Sequence, residues 1–138
     1  MKILIMGLPG SGKTWIAERL YKQLNCAWYN ADKVREMAND WEFSAEARQR
    51  QAMRMRTIAD FERNQGRHVI CDFVCPTKIT RTLFKPDITV WVNTIDSGRF
   101  EDTNKVFEKP NNPDFEIIRH LSDDEIMSLG NQISERIA

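Results

Sequence analysis

The chain has no surplus of either charge: Lys and Arg number 20, Asp and Glu number 20, and the formal net charge is zero. Proteins that grip nucleic acid along its backbone usually carry a basic excess, so this balance argues against a nucleic-acid partner. Cysteine is sparse. Cys26, Cys71 and Cys75 form an odd set without metal-ligand spacing, which points to a reducing, cytoplasmic compartment. No apolar run approaches the ~20 residues of a membrane span, so no membrane partner is expected. A leader is not expected either, because the first strand-like run begins at residue 2 and leads straight into a glycine loop. There is no internal repeat and no low-complexity segment. The basic residues Arg48, Arg50, Arg54 and Arg56 read as a solvated helix face. A length of 138 residues fits one domain over residues 1–138 with a single core.

What is present is the octapeptide Gly7-Leu8-Pro9-Gly10-Ser11-Gly12-Lys13-Thr14. It fits G-x-x-x-x-G-K-[ST], and its context fits too. The apolar run Ile3-Leu4-Ile5-Met6 precedes it, and Ile16, Leu20 and Leu24 follow at helical spacing. Glycines let successive backbone N–H groups turn inward around an anion, and the helix N-terminus adds a favourable dipole. Lys13 can reach the β- and γ-phosphates, and the Thr14 hydroxyl can ligate Mg²⁺. The motif implies a bound nucleoside triphosphate.

Apolar runs alternate with helical patterns, the signature of a parallel sheet covered by helices. The expected class is α/β, a three-layer sandwich of the P-loop NTPase type with a five-stranded parallel sheet. Candidate strands are residues 2–6, 27–29, 68–72, 88–92 and 115–118. Ser44 caps a long helix to about Asn64, with Gly66 beyond its end. Ser122-Asp123-Asp124-Glu125 is a capping box that opens a last helix whose buried stripe is Ile126, Leu129, Ile133 and Ile137.

Ligands of such sheets bind beyond the carboxyl ends of the strands. After the second strand come Asp32 and Arg35, one helical turn apart. The acid can accept a hydroxyl proton or position Mg²⁺ through water, and the arginine can hold an anionic group of the acceptor. The same two residues also fit a helix N-cap and a surface charge. Asp72 closes the third strand, where a carboxylate reaches Mg²⁺ through the second shell, or alternatively caps the next turn. Cys75 lacks a neighbouring base, so a nucleophilic role is not expected. His68 reads as structural, His120 as surface and Trp91 as core. Phe43, Phe100 and Phe107 fall among polar neighbours in loop-like segments, where a purine-stacking role competes with a core one.

Several segments together resemble the adenylylsulfate (APS) kinase family, which transfers the γ-phosphate of ATP to the 3′-hydroxyl of adenosine 5′-phosphosulfate. The family's G-L-S-G-[AS]-G-K-[ST] matches residues 7–14 except at Pro9, and its D-G-D-N-[VI]-R resembles residues 30–35. Its G-F-S…D-R-x-E-N-I-R-R resembles Glu42-Phe43-Ser44, Arg48, Gln51 and Arg54, and its F-I-S-P-[YF]-R-x-x-R resembles Phe73–Arg81. Its F-T-G-I-D-x-P-Y-E-x-P-x-x-P resembles Phe100–Pro113, keeping the spacing of the two aromatics, the Glu and both prolines.

The resemblance implies ATP as phosphate donor, Mg²⁺ as cofactor and APS as acceptor. Taken with the phosphate-loop and strand-end readings above, it gives Lys13, Asp32 and Asp72 as expected catalytic residues, with Thr14, Asp32 and Asp72 at the metal. Arg35, Phe43, Arg48, Gln51, Val74, Cys75 and Phe100 are implied at the acceptor, Phe43 and Phe100 as the two faces of an adenine sandwich. The stretch Asn93–Arg99 is short where the family has a basic lid, which leaves Arg99 and Lys105 to cover the transferring phosphate. Asn30 replaces the family's first acid, Cys75 a serine, and Asp72 stands where the family has a small residue. Asn30, Asp32, Arg35 and Asp72 also resemble polynucleotide-kinase phosphate-loop domains. A homodimer is left open.

Overall fold

The computed structural model describes residues 1–138. The elements run β1 (Lys2–Met6), α1 (Lys13–Leu24), β2 (Ala27–Asn30), α2 (Ala31–Ala38), α3 (Ala45–Asn64), β3 (Val69–Asp72), α4 (Lys78–Phe84), β4 (Ile88–Val92), α5 (Glu101–Val106), β5 (Phe115–Ile117) and α6 (Asp123–Ile137). The five strands form one parallel sheet in the order β2-β3-β1-β4-β5. No helix is long and apolar enough to cross a membrane.

A parallel sheet must be covered on both faces, and the period of two along each strand shows how this happens here. Ile3 and Ile5 of β1, with Val90 of β4, pack against Ile16 and Leu20 of α1 and Ile126, Leu129 and Ile133 of α6. Leu4 and Met6, pointing the other way, pack with Cys71 and Trp91 against Val34, Ala52, Met55 and Phe84 of α2, α3 and α4. Each face buries a separate apolar cluster, so the sheet is the middle of three layers.

The long helices start where their caps dictate. The Ala47 N–H donates to the Ser44 hydroxyl, and Ser122 and Glu125 complete a reciprocal box at α6. Three boundaries differ from the sequence reading, the first being β2, which runs on to Asn30. His68 precedes β3, its ring nitrogen 2.8 Å from the terminal amine, and Ile118 lies beyond β5, exposed. The helices α4 and α5, of 7 and 6 residues, were not expected. Segments of that length hold fewer than two turns, too few for a 3.6-residue period to stand out. At α2 the N-cap is Asn30, which accepts from the Lys33 N–H at 3.1 Å, while Asp32 occupies the first turn.

Lys2 fastens three elements. It is 1% exposed, and its ammonium donates to Asp60 of α3 at 2.9 Å and to the Phe84 carbonyl of α4 at 2.8 Å. A buried cation is tolerated only when paired and hydrogen-bonded. Asp60→Ala is therefore expected to lower the unfolding free energy by about 3 kcal/mol in urea titration, since the ammonium loses its counter-charge. A loss under about 0.5 kcal/mol would show that the Phe84 carbonyl alone suffices.

Candidate active site

The loop between β1 and α1 takes its shape from glycine. Gly12, the α1 N-cap, has φ 105°, and a Cβ on Gly7 would lie 2.5 Å from the Val92 carbonyl oxygen. Only glycine fits such positions without displacing backbone. The loop is braced from β4, because the Thr94 hydroxyl donates to the Ser11 carbonyl at 2.7 Å. Lys13 is buried, and its ammonium donates to the Leu8 carbonyl at 3.0 Å. Burial brings its pKa down to about 8, against the opposing pull of Asp72 and Asp32.

Beside the loop lies a buried carboxylate. Asp72 ends β3 in register with Asn30 of β2 and Ile5 of β1. It accepts from the Trp28 indole N–H at 2.6 Å, from the Asn30 amide at 3.2 Å to each oxygen, and from the Thr14 hydroxyl at 3.4 Å. Burial pushes its carboxyl up, and the Trp28 and Asn30 hydrogen bonds oppose the rise. Oxygen donors in this arrangement fit Mg²⁺, which takes one or two protein oxygens and completes its octahedron with phosphate and water. No group of three or more His, Cys, Asp or Glu side chains is assembled anywhere, so a metal here would depend on the nucleotide.

A cavity of about 440 Å³ opens from Lys13, Thr14 and Asp72 toward α2, α3 and α5. Asp32, Arg35, Phe43, Arg48, Gln51, Val74, Cys75, Arg99 and Phe100 all line it. Lys105 is exposed and does not line it, so of the two side chains expected over the phosphate only Arg99 is in the cavity wall. Phe107 leaves the site as well. It packs at the edge of the core beneath Arg81, whose guanidinium carbon lies 5.5 Å from the ring centroid.

Of the α3 arginines read as a solvated face, Arg48 is buried, Arg54 and Arg56 are half-buried, and Arg50 is exposed but paired. Arg48 Nε donates to the Phe43 carbonyl at 2.9 Å, and Arg50 and Arg54 both donate to Asp40. These two guanidiniums hold the Asp40 carboxyl well below the usual carboxylate range. Arg54 also donates to the Gln51 amide oxygen, and Gln51 donates to the Ala31 carbonyl at 3.1 Å. Arg35 NH1 donates to the carbonyls of Asp40 and Glu42 at 2.9 and 3.0 Å, and its guanidinium carbon lies 4.5 Å from the Phe43 ring centroid. The segment that carries Phe43 is thus gripped from α2 and α3 together. Cys75 is fully buried, has φ 46° and carries a thiol pushed up to about 12 by burial, so it meets the cavity as an uncharged wall.

Three site residues escaped the sequence reading. Trp28 shares its strand face with Asn30, a relation the period of two would have shown. Trp41, half-exposed in the cavity wall, sits among polar neighbours like Phe43 and meets the criterion applied to the phenylalanines. Thr103, buried behind Arg48, carries no sequence signal.

A phosphate cradle with a buried strand-end acid, opening on a nucleotide-sized cavity in a parallel 2-3-1-4-5 sheet, defines the chain as a phosphate-loop kinase by fold and site. The family model for adenylylsulphate kinase matches residues 1–96, and the chain belongs to that family. A curated relative, a probable adenylyl-sulfate kinase of Aeropyrum pernix, is 36% identical over 92 residues, covering 60% of this chain and 49% of the relative. The match therefore spans about half the length of that relative. The crystal structure of APE1195 superposes with a TM-score of 0.85 at 24% identity, covering 100% of this chain and 97% of that one. The Mycobacterium tuberculosis APS kinase CysC, solved with AMPPNP and APS, gives a TM-score of 0.77 at 19% identity, over 97% and 95% of the two chains. At these identities the two structures establish the fold. The family match ends before Phe100, so the Phe100–Pro113 block rests on sequence resemblance and fold likeness.

The lowered Lys13 pKa has a testable consequence. Below about pH 8 the ammonium is charged and ready for phosphate; above it the free protein loses that proton, and bound phosphate recovers it. ADP affinity is therefore expected to fall as pH rises above about 8, approaching roughly tenfold per pH unit, with proton uptake seen calorimetrically in buffers of different ionisation heat. A dissociation constant flat across that range would remove Lys13 as the titrating partner.

Proposed function

We propose that the chain transfers the γ-phosphate of ATP to the 3′-hydroxyl of adenosine 5′-phosphosulfate. The observation that carries this reading is the cavity itself. It joins the phosphate cradle to a compartment bearing two aromatic rings, Phe43 and Phe100, and the guanidinium of Arg35. An adenine nucleotide needs that combination: planar apolar surface for the base and a cation for its anionic end. Family membership and the fold likeness to a kinase solved with APS support the same acceptor. The three buried, unpaired cysteines agree with a reducing cytoplasm, and the activity would belong to sulfate assimilation.

The roles follow from charge and position. The backbone N–H groups of residues 7–14 and the Lys13 ammonium bind the β- and γ-phosphates and offset the charge that develops on transfer. Mg²⁺, held by the Thr14 hydroxyl and through water by Asp72, would supply charge neutralisation across the phosphates. Asp32, at the first turn of α2, orients the acceptor hydroxyl and takes its proton. Arg35 holds the anionic end of the acceptor, and Arg99, near enough to Lys13 to influence its titration, covers the transferring group.

The test is a coupled assay of ADP production with APS, with a 5′-hydroxyl oligonucleotide and with no acceptor. Turnover is expected with APS alone. Lys13→Ala is expected to lower kcat by roughly 10²–10³. Arg35→Ala is expected to raise KM for APS by roughly 10–100-fold with KM for ATP unchanged. Phosphate transfer to the oligonucleotide instead would make the chain a polynucleotide-type kinase. Stabilisation by MgADP without turnover on any acceptor would make it a nucleotide-binding module.

A further inference from the structure

Phe43 and Phe100 come from segments far apart in the chain, yet one guanidinium bridges them. Phe43 precedes α3, and Phe100 is the N-cap of α5. From the first turn of α3, Arg48 Nε donates to the Phe43 carbonyl at 2.9 Å, while NH2 donates to the Thr103 hydroxyl at 3.1 Å. Thr103 lies three residues after Phe100, within one turn of α5. Arg48 and Thr103 are both buried, 9% and 6% exposed, so water competes little for either bond.

The chemistry of the bridge makes it a spacer. A guanidinium is planar and its donors diverge at fixed angles, so two bonds made through it fix the separation of their acceptors. A six-residue helix does not hold its own position and relies on such ties. Its other ties are the Asn104 amide, which accepts from the Gly98 N–H at 2.7 Å and donates to the Gly98 carbonyl at 2.9 Å, and Glu108 just past its end, whose N–H donates to the Pro76 carbonyl at 2.7 Å. Those ties fix α5 to the segment before it and to the turn after β3, and Arg48 supplies its hydrogen bond to the Phe43 segment.

We propose that Thr103 is a positioning residue: acting through Arg48, it sets the gap between Phe43 and Phe100 and so selects an acceptor with a planar aromatic ring. The identity of that acceptor rests on the reading above; the bridge is a property of the chain and can be tested with or without it. Arg48 is accordingly a bridge between the walls before it is a ligand for an anion.

Thr103→Val removes the accepting oxygen at almost unchanged volume, and Thr103→Ser keeps it. In the full chain, Thr103→Val is expected to raise KM for APS roughly tenfold, with kcat within about twofold and KM for ATP unchanged, and Thr103→Ser is expected to stay near the parent. Equal effects on both nucleotides, or a serine variant as impaired as the valine one, would overturn the proposal. Amide hydrogen exchange on the ligand-free protein decides the matter should APS prove not to be the acceptor. Thr103→Val is expected to speed exchange in residues 100–106 and 43–48 together, leaving β1 and α1 unchanged, with Thr103→Ser restoring both. Faster exchange in residues 100–106 alone would mean that the bond anchors α5 without spacing the walls, and the proposal would fail.

Discussion

A carboxylate that is 2% exposed at the end of a central strand is a liability unless donors surround it, and the carboxyl edge of this sheet is organised around supplying them. Asp72 receives the Trp28 indole, the Asn30 amide and the Thr14 hydroxyl. These come from the neighbouring strand, the cap of the next helix and the first turn after the phosphate loop. Each donor is thereby fixed in rotamer and position. Asn30 makes the reach longest, since the same side chain caps α2 and so sets where Asp32 and Arg35 begin their helix. The phosphate loop and the start of α2 are joined through that one amide.

The part of the cavity wall between α2 and α3 has its own internal order. Arg35, Arg50 and Arg54 converge on the short segment between α2 and α3, two of them on the Asp40 carboxylate and one on its backbone carbonyls. Gln51 closes the circuit back to the first residue of α2. A loop of a few residues would otherwise cost conformational entropy each time a ring stacked on it. Here the ordering is done before the ligand arrives, which is how pre-organisation raises affinity without adding contacts.

How much of this was legible depends on the range of the signal. The β1–loop–α1 unit, the caps Ser44 and Ser122, and the alternating sheet faces are local patterns, and the sequence carried them plainly. Arg35, Phe43, Arg48 and Phe100, which line one cavity, could be singled out because motif spacing survives even where individual residues change. Lys105 was misplaced because α5 was read as loop, and a helix turns its neighbours by 100° per residue where a loop need not. Arg48 and Arg54 looked like part of a solvated face because helical spacing shows which residues share a side and not what lies opposite them. Thr103 had no local signal at all, since its role is set by a partner 55 residues away.

The folded-back lysine has an energetic meaning of its own. With the Lys13 ammonium donating to the Leu8 carbonyl, the cradle already contains a surrogate for its ligand. A phosphate arriving there exchanges one acceptor for a better one and does not rescue an orphaned cation. The heat of binding assigned to this side chain is then the difference between two hydrogen bonds, smaller than the phosphate bond alone. Weak anions gain little from that exchange, so the loop discriminates among them by how much more negative than a peptide carbonyl they are.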